Sequence, residues 1–525
     1  MFTRMRLTIP VRLTGLLYHG TQDLVETRVV DRRGKKNEFG EDREFSMNAS
    51  HEYVLRGTAI AGALKSACKI AYGDEHARAW GSSERPSLIA VDDALLAGGS
   101  PDRRTGNAIN RYSGSVTDGS LFHHGVFPRG TRFTIILHAE TRSPEDAAAA
   151  RDALRACVQL IGSGAVAFGG RTNIGWGSVE LNGNAHLETE DLHTVEGLAR
   201  WLSGKPESEV TEAASSAPDS GVCTIELVWS PISTVFVGAA AVTRAQDEHA
   251  IASGQARNVV TPLMENGLPV VPGSSIRGVL RQRAARIART VLANPDGWED
   301  VTTHLQLATE PEIVQRLFGD TRRQGALRTH DSRAATRATV TADHVAIDRW
   351  TGGALDGERG AGDEARGGHL FSVQEAAART WEPIRLDLRL DRLGSDAESR
   401  RASLCLLCLV LAELCTGHLT LGGHATRGSG LVAVQRLTWT PVPGLARGPE
   451  DGAYAGAWES GATDSVDPDD IEALTAHSRE VARDLLARAR ALQPECGWAE
   501  VVTRADRERA SSDAKAARTE EADNA

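Results

Sequence analysis

The sequence predicts an α+β protein in which one domain is built twice, in tandem. Three stretches recur in both halves: the start of a basic helix, a middle block with an Arg-aromatic pair, and a late glycine-rich loop. Such internal repetition determines the domain organisation, because each copy is expected to fold as one unit. Around these stretches, both halves show the same succession of strand and helix patterns.

The first recurring stretch is the start of a basic helix. Val54–Lys69 reads VLRGTAIAGALKSACK, and Val270–Arg286 reads VVPGSSIRGVLRQRAAR. A glycine lets the backbone approach a ligand closely, and free N–H groups at a helix start attract phosphate. Alone, a hydroxyl residue at this place is usually only a helix cap. The duplication favours an anion site with exposed basic side chains, made of Gly57, Thr58, Lys65 and Lys69 in one copy and Gly273, Ser274, Ser275, Arg277, Arg281 and Arg283 in the other.

The middle block places an aromatic residue directly after an arginine in both copies. It reads INRYSGSVTDG from Ile109 and IDRWTGGALDG from Ile347, with a constant offset of 238 residues. The pairs are Arg111 with Tyr112 and Arg349 with Trp350. Each aromatic ring can stack on a base or can pack in the core, and both alternatives stay open. Asp93 and Asp331 share the same offset, lie at strand or turn ends, and are interpreted as structural residues.

The third recurring stretch is a loop with the pattern GGxxxxGxG, read as FGGRTNIGWG from Phe168 and LGGHATRGSG from Leu421. No GK[ST] follows, which excludes a P-loop, and a Rossmann fingerprint would need a helix after the loop. Taken singly these loops could be plain tight turns. The residues predicted to bind a ligand are Gly169, Gly170, Arg171, Gly175 and Gly177 in the first copy and Gly422, Gly423, His424, Arg427 and Gly428 in the second.

The remaining elements follow from hydrophobic periodicity. Alternation predicts opening strands at Met5–Leu13 and Cys223–Trp229, each followed by a long loop to the repeated helix. Later strands and helices are predicted at Phe133–Leu137, Ile384–Leu390, Pro144–Ile161 and Ala397–Leu414. Strand, helix, strands, helix, strand is the order of a ferredoxin-like, or RRM-like, fold, which many single-strand RNA binders share. The predicted domains are 1–205 and 222–440, with a linker at 206–221 and an acidic, helical extension at 441–525 that holds a helix at Asp469–Leu492.

Composition limits the class of protein. The chain has 525 residues, 41% of them hydrophobic, and a formal net charge of -11, so binding to nucleic acid would need a locally basic groove. Its seven cysteines show no obvious pairing pattern, and its N-terminus lacks the continuous apolar stretch of a signal peptide. Both features favour a cytoplasmic protein. The longest apolar run, 404–415, is too short to span a bilayer, so no membrane partner is expected. Cys405 and Cys408 form a CxxC inside this run and are interpreted as packing residues.

PGSSIRG leading into a basic helix, together with the GGxxxxGxG loop, resembles the RAMP superfamily of CRISPR-associated proteins. The resemblance extends over most of residues 5 to 440 and occurs twice, once in each copy of the domain. The middle block is most similar to that of the backbone subunits of type III effector complexes, and the tandem arrangement resembles the double subunit of type III-D systems. The resemblance implies inserted thumb hairpins near the middle blocks. As partners it implies CRISPR RNA, target RNA and other effector subunits, namely further RAMP proteins and a large and a small subunit.

Backbone subunits of this superfamily carry a cleaving aspartate in the loop ahead of the repeated helix. Measured back from that helix, the first copy has Asp42 where the second has Asn258. The resemblance therefore implies one cutting site, at Asp42, with Asp31, Glu41 and Glu44 as neighbours that could replace it. A carboxylate there can act as a base or hold Mg²⁺ or Mn²⁺ while the ribose 2′-OH attacks its own phosphate, and no tightly bound cofactor is expected.

Two other functions remain open. A subunit without a working carboxylate would be a scaffold that binds guide RNA while another protein cuts. A guide-processing nuclease of the same superfamily would need a catalytic histidine near the first helix, for which His51 is the candidate. His123 and His124 have no counterpart pair in the second copy and are interpreted as surface residues near RNA.

Overall fold

The structure is a computed structural model. It describes residues 3–30, 36–82, 84–96, 99–111, 114–117, 120, 122–211, 222–244, 258–292, 310–345, 347–353, 370–394, 396–440, 457–464 and 466–503, with the backbone alone at 21–30, 36–44, 240–244, 258 and 370–371. Within these ranges, no helix has both the length and the apolar character that crossing a membrane requires.

The first repeat contains twelve strands and four helices among the described residues. They are β1 Thr3–Leu13, β2 Gly20–Val30, β3 Lys36–Phe45, β4 Val54–Leu55, α1 Gly57–Tyr72, α2 Ala77–Trp80, β5 Ile89–Val91, β6 Ala94–Leu95, β7 Asp102–Gly106, β8 Phe122–Val126, β9 Arg132–Thr141, α3 Pro144–Gly162, β10 Val179–Leu181, β11 Ala185–Asp191, α4 Val195–Leu202 and β12 Glu207–Thr211. A 3-10 helix, Thr172–Ile174, lies in the glycine-rich loop.

The second repeat and the C-terminal extension follow a similar order. They contain β13 Val222–Pro231, β14 Gly238–Arg244, β15 Asn258–Pro262, β16 Met264–Glu265, β17 Leu268–Val271, α5 Gly273–Val291, α6 Glu312–Phe318, β18 Leu327–Thr329, β19 Ser332–Arg333, β20 Thr339–Val345, β21 Leu370–Ala376, β22 Ile384–Arg389, α7 Ala397–Cys415, β23 Val432–Thr440, β24 Trp458–Gly461 and α8 Ile471–Ala491. Short 3-10 helices occupy Leu390–Arg392 and Ala425–Arg427.

Each repeat is organised around an antiparallel sheet whose central strand is the opening strand. β1 lies between β9 on one side and β10 with β11 on the other, and β13 lies between β22 and β23. The side chains of β1 alternate between buried and more exposed positions, as the sequence predicts, because successive residues of a strand point to opposite faces. In each repeat the two long helices cover the buried face, so α1 and α3 or α5 and α7 complete the core.

Each repeat has a second sheet of four strands, two of which lie in what was predicted to be a long loop. Its order is β2-β3-β8-β7 in the first repeat and β14-β15-β21-β20 in the second. In both sheets the middle pair is parallel and the outer pairs are antiparallel. The prediction of a loop is therefore wrong here. Each repeat also has a third, smaller sheet, β4-β6 in the first and β16-β17-β19 in the second.

The buried helix α7 confirms the interpretation of the apolar run at 404–415. Cys405 and Cys408 are fully buried there, and burial raises the pKa of the Cys405 thiol to about 11 and of the Cys408 thiol to about 12. Buried neutral thiols behave as small apolar side chains. These two residues therefore act as packing residues.

Two strands lie in segments that the sequence assigned to linkers. β12 pairs with β11 and extends the first sheet, although its residues fall within the predicted linker at 206–221. β24 pairs with β23, and α8 packs against α7 and β23. The described parts of the C-terminal extension thus form one further layer on the second repeat.

Candidate nucleic-acid interface

Both repeated helices begin with the same carboxylate contact. The N–H group of Gly57 donates to Oδ1 of Asp93 at 2.7 Å, and that of Gly273 donates to Oδ1 of Asp331 at 2.6 Å. This contact confirms the interpretation of the two aspartates as structural residues. It contradicts the prediction that these two N–H groups are free for phosphate, because an internal anion already occupies them.

The glycine at each helix start is explained by close packing. A Cβ atom added at Gly57 would lie 2.2 Å from the carbonyl oxygen of Val91, and one added at Gly273 would lie 2.7 Å from that of Thr329. No side chain other than hydrogen fits at such distances. The neighbouring hydroxyl of Thr58 is exposed, as is Ser274, while Ser275 is half-buried, and neither N-cap residue, Arg56 or Pro272, forms a cap with its own side chain.

A basic side chain holds the next short helix at equivalent places. Lys65 Nζ donates to the carbonyl oxygen of Gly81 at 3.0 Å, and Arg281 Nη2 donates to that of Gly319 at 2.8 Å. Each glycine follows a short helix whose last carbonyl groups need a donor. A structural role therefore accounts for both cations, which the sequence assigned to an anion site.

Arg277 is the clearest correction on the basic helix. It is 7% exposed and donates to the carbonyl oxygen of Leu327 at 2.6 Å and to that of Phe318. Burial lowers the pKa of its guanidinium to about 10, so it stays charged at neutral pH. The prediction that Arg277 lies on the exposed side is wrong, whereas Lys69 is exposed as predicted.

The glycine-rich loops clamp onto the segment that follows each opening strand. Gly170 N–H donates to the carbonyl oxygen of Tyr18 at 2.8 Å, and Gly423 N–H donates to that of Phe236 at 2.7 Å. A Cβ added at the preceding glycine would lie about two ångströms from the same oxygen: 2.2 Å for Gly169 and 2.3 Å for Gly422. The duplicated GG pair is thus a tight backbone contact.

Directly after the GG pair, each loop holds a non-glycine residue in the left-handed region. The φ angle is 58° at Arg171 and 62° at His424. Side chains with a Cβ avoid this region, and such residues concentrate at functional sites. In the described part of the chain His51 and Asn266 are the other two non-glycine residues with a positive φ. The loop therefore displays one cationic or aromatic side chain per repeat.

In the first repeat this side chain rests on aromatic rings. The Arg171 guanidinium carbon lies 4.7 Å from the ring centroid of Phe122 and 5.8 Å from that of Trp176, within the range of cation–π contacts. The same cluster contains Tyr18 and His124, whose ring centroids are 4.5 Å apart. Because Arg171 itself is exposed, one face of a flat cation remains accessible.

His123 and His124 are not surface residues. They are 6% and 7% exposed on β8, and Nδ1 of His123 lies 2.7 Å from Oγ1 of Thr105. The expectation that they lie on the surface is therefore wrong. Their strand places them beside the predicted cutting site, since Asp42 pairs with His123 in the parallel register of β3 and β8.

The structure does not describe the side chains of the predicted cutting residues. Asp31 is not described, and Asp42, Glu44 and Asn258 are described by their backbone alone. Asp42 lies in β3 and Asn258 begins β15, the equivalent strand of the second repeat. Among the residues whose side chains are described, no group of three or more His, Cys, Asp or Glu could hold a metal ion. The predicted Mg²⁺ or Mn²⁺ site at the carboxylates stays a prediction.

The middle blocks form equivalent tight turns. Gly114 N–H donates to the carbonyl oxygen of Asn110, and Gly352 N–H donates to that of Asp348, both at 2.9 Å. Tyr112 lies outside the described residues. Trp350 is 97% exposed, so the second of these aromatics is not a core residue.

The two arginines of the middle blocks differ in their surroundings. Arg349 is exposed, whereas Arg111 is 15% exposed and forms an ion pair with Glu310 of the second repeat. Burial and the nearby charges of Arg281 and Arg289 lower the pKa of Arg111 to about 9. Arg111 thus lies in the contact between the two repeats.

That contact involves the glycine-rich loop of the first repeat and the helix start of the second. A Cβ added at Gly175 would lie 2.7 Å from Nδ1 of His330, and one at Gly273 would lie 2.8 Å from the carbonyl oxygen of Ile174. Arg104 on β7 reaches across to Asp331 at 3.3 Å, with both side chains buried. The first repeat therefore supplies an arginine to the carboxylate that caps the helix of the second.

Sequence reasoning did not single out Phe236, Glu375 and His344, which surround His424. Phe236 stacks on His424 with ring centroids 4.2 Å apart and an interplanar angle of 8°. Glu375 and His344 lie on β21 and β20, outside the three recurring stretches. The sequence therefore carried no signal that pointed to these three residues.

A family model described as the RAMP superfamily matches residues 19–180 and 230–433, so it covers both repeats and more than half of the chain. Two solved structures are similar to part of the chain: "Cryo-EM structure of the Type III-B Cmr-beta bound to cognate target RNA", with 15% identity, and "Type III-B Cmr-beta Cryo-EM structure of the Apo state", with 13% identity. In both cases the match covers 34% of this chain and 96% of the other, with a TM-score of 0.27. No curated protein matches the chain.

Proposed function

The chain belongs to the RAMP superfamily, and from this premise we propose that it is a CRISPR-RNA-binding double backbone subunit of a type III effector. The observation that carries the proposal is the glycine-rich loop, which occurs twice with the same left-handed residue, at Arg171 and His424. Two equivalent loops in one chain suit a ligand whose units repeat, such as a sugar-phosphate backbone.

We assign both repeats to the ferredoxin-like fold. Numbered along the chain, the core strands of the first repeat are β1, β5, β9 and β10, and those of the second are β13, β18, β22 and β23. The strand order is therefore β10-β1-β9-β5 in the first repeat and β23-β13-β22-β18 in the second, so the two sheets have the same topology. Single-stranded RNA binds to sheets of this class in many RNA-binding domains.

The thumbs in this proposal are the connections between the last two strands of each second sheet. The middle blocks lie between β7 and β8 and between β20 and β21. The fully exposed ring of Trp350 is suited to stack on or wedge a base, since every base presents a π-face. Tyr112 would do the same in the first repeat.

Cleavage of target RNA is assigned to Asp42. Its strand β3 is an inner strand of the second sheet, next to β8, and is followed along the chain by β4 and the helix start. A carboxylate there would act as a base or hold a divalent cation at a splayed nucleotide, and positioning would supply much of the acceleration.

The test uses the full chain assembled with its guide RNA. RNA bound to the purified protein is sequenced, and a matched target RNA is then cleaved and mapped on a gel. We expect a CRISPR RNA in the preparation and the loss of one cut in Asp42→Ala, with guide binding unchanged. Protein that carries no guide RNA would contradict the binding role, and an unchanged set of cuts would remove Asp42 from the site.

The second candidate function, a scaffold that does not cut, is favoured by the position of Asn258. An amide there cannot serve as a base, so the second repeat lacks the carboxylate chemistry proposed for the first. If Asp42→Ala leaves every cut in place and guide RNA is still bound, the scaffold function is the better description, with cleavage done by another subunit.

The partners in this proposal include further RAMP-type subunits, and the contact between the repeats indicates where they would bind. The loop 168–177 of the first repeat packs on the second repeat, whereas the four residues 425–428 of the equivalent loop are exposed. At the opposite end, the side chain of Asp93 is 40% exposed, whereas that of Asp331 is 6% exposed. A neighbouring subunit with the same loop would fit on the helix start beside Asp93, and one with the same helix start would fit on the loop 425–428.

A further inference from the structure

His424 is held by a buried carboxylate. Its Nδ1 atom lies 3.3 Å from Oε1 of Glu375, whose side chain is 9% exposed. A carboxylate at Nδ1 favours the tautomer with the proton on that nitrogen, which leaves the lone pair on Nε2. The imidazole itself is 23% exposed, so a ligand can reach it.

Glu375 is fixed in turn by two hydroxyl groups. Ser429 Oγ donates to Oε1 at 2.9 Å, and Thr234 Oγ1 donates to Oε2. Burial alone would raise the pKa of Glu375, but the hydrogen bonds from Thr234, Ser429 and His424 lower it below its ordinary value. The carboxylate is therefore ionised at neutral pH and oriented before any ligand binds.

Three features restrict the imidazole ring. Phe236 stacks on it almost in parallel, the left-handed backbone of His424 fixes its direction, and Glu375 holds Nδ1. Burial lowers the pKa of His424, and the positive charge of Arg427 and the ring of His344 act in the same direction, while Glu375 opposes them. The result is a neutral, oriented base at pH 7.

A second imidazole lies next to the first. The ring centroids of His344 and His424 are 6.4 Å apart, with an interplanar angle of 69°. His344 lies on β20, which pairs with β21, the strand that carries Glu375. Two imidazoles at this separation are close enough to act on one phosphodiester.

We propose that the second repeat has an RNA-cleaving centre of its own, in which His424 is the general base, His344 the general acid and Glu375 a positioning residue. This inference rests on the proposed function, because it requires the glycine-rich loop to lie against RNA. It replaces the single cutting site expected from Asp42 with two sites of different chemistry.

The reaction is an internal transesterification. His424 Nε2 takes the proton of a ribose 2′-OH, and the 2′-oxygen forms a bond with the adjacent phosphorus. The bond from phosphorus to the 5′-oxygen breaks, and the His344 imidazolium gives its proton to that oxygen. The products are a 2′,3′-cyclic phosphate and a 5′-hydroxyl, and the two imidazoles are restored by proton exchange with water.

The comparison with the first repeat supports this assignment. The residue equivalent to His424 is Arg171, which cannot accept a proton at neutral pH. The residue equivalent to Asp42 is Asn258, which cannot do so either. Each repeat thus lacks the base that the other contains.

The deciding variant is His424→Asn. Asparagine tolerates the left-handed conformation, and its amide N–H can still donate to Glu375, so the fold of the loop is retained while the base is lost. We expect the cut from the second repeat to slow by about 10²- to 10⁴-fold, the usual contribution of a general base, while the Asp42-dependent cut and guide binding stay unchanged. His344→Gln should slow the same cut, and the exposed His418→Asn is the matched control that should not.

The role of Glu375 is read from the pH profile. Glu375→Gln removes the charge that stabilises the imidazolium, so the acid limb of the second cut should move to lower pH, which a purely structural role would not cause. A target with 2′-deoxyribose at that nucleotide should not be cut there.

The outcomes separate the two proposals. Protein without guide RNA overturns the proposed function and this inference together. Bound guide RNA and an Asp42-dependent cut, with no second cut or with one that His424→Asn leaves unchanged, overturns this inference alone.

Discussion

The two helix starts have the same local geometry and different surroundings. Gly57 with Asp93 and Gly273 with Asp331 make hydrogen bonds of nearly equal length, 2.7 Å and 2.6 Å. The second oxygen of Asp93 binds Arg56 of its own repeat, while that of Asp331 binds Arg104 of the other repeat. At the position of Arg56 the second repeat has a proline, so the arginine must come from outside. A duplicated motif can thus keep its geometry while one copy becomes a contact between domains.

The glycine-rich loops differ in the same way. Ile174, in the middle of the first loop, is 5% exposed, whereas the 3-10 helix Ala425–Arg427 has no buried residue. Their backbone angles nevertheless agree, because the GG pair and the later glycines fix them within each repeat. The geometry of a loop is therefore a local property here, and its exposure is set by the neighbouring domain.

The largest effect on stability should come from removing the two capping aspartates. Asp331→Ala leaves Arg104 buried without its partner, and breaking a buried ion pair from one side costs about 3–5 kcal/mol. Asp93→Ala removes the same bond to a glycine N–H at a half-exposed site, and we expect a loss of about 0.5–2 kcal/mol, as for a helix cap. Urea denaturation of both variants measures the difference. Equal losses would show that burial at the contact between repeats contributes nothing.

A smaller difference should separate two glycines with similar backbone angles. Gly175 has a φ of 79° and Gly428 a φ of 89°, so alanine at either position costs about 1–2 kcal/mol of backbone strain. At Gly175 the new Cβ would also meet His330, which adds about 1–3 kcal/mol of overpacking, whereas a Cβ at Gly428 meets nothing within 4 Å. Thermal unfolding of Gly175→Ala and Gly428→Ala checks this order, and an equal shift would contradict it.

The smallest effect concerns pH. The Gly57 N–H and the Arg56 guanidinium lower the pKa of Asp93. Because the folded pKa is depressed, the stabilisation is present above the ordinary value of about 3.9 and is lost as pH falls through the lowered pKa. Asp93→Asn should therefore flatten the decrease in stability below about pH 4. Parallel acid titrations of the two proteins, followed by circular dichroism, measure it, and identical curves would refute the assignment.

Much of the fold could be predicted from sequence because the core elements are periodic. The strand at Met5–Leu13 and the helix at Pro144–Ile161 lie within observed elements of nearly the same bounds. The second sheet escaped prediction because its strands lack alternation: β3 reads KNEFGEDREF, with two apolar side chains in ten residues. Its stability comes from neighbours distant in sequence, which no local pattern records.

The candidate site was harder to predict for a similar reason. Arg277 is buried although it is charged, and the signal was its helical spacing from Gly273, Leu280 and Ala284 on the buried face. The charge of Glu375 gave no such signal, because its partners Thr234 and His424 come from distant segments. Residue type indicated the chemistry, and only the tertiary contacts indicated which atoms meet.

The contact in which the loop of one repeat sits on the helix start of the next gives the molecule a direction. Its two ends present unlike surfaces, so two copies meeting through them must face the same way and cannot pair about a two-fold axis. Unless the rotation between successive modules closes a ring, such growth is helical and unlimited. The length of any assembly would then have to be set by a terminating subunit that offers only one of the two surfaces.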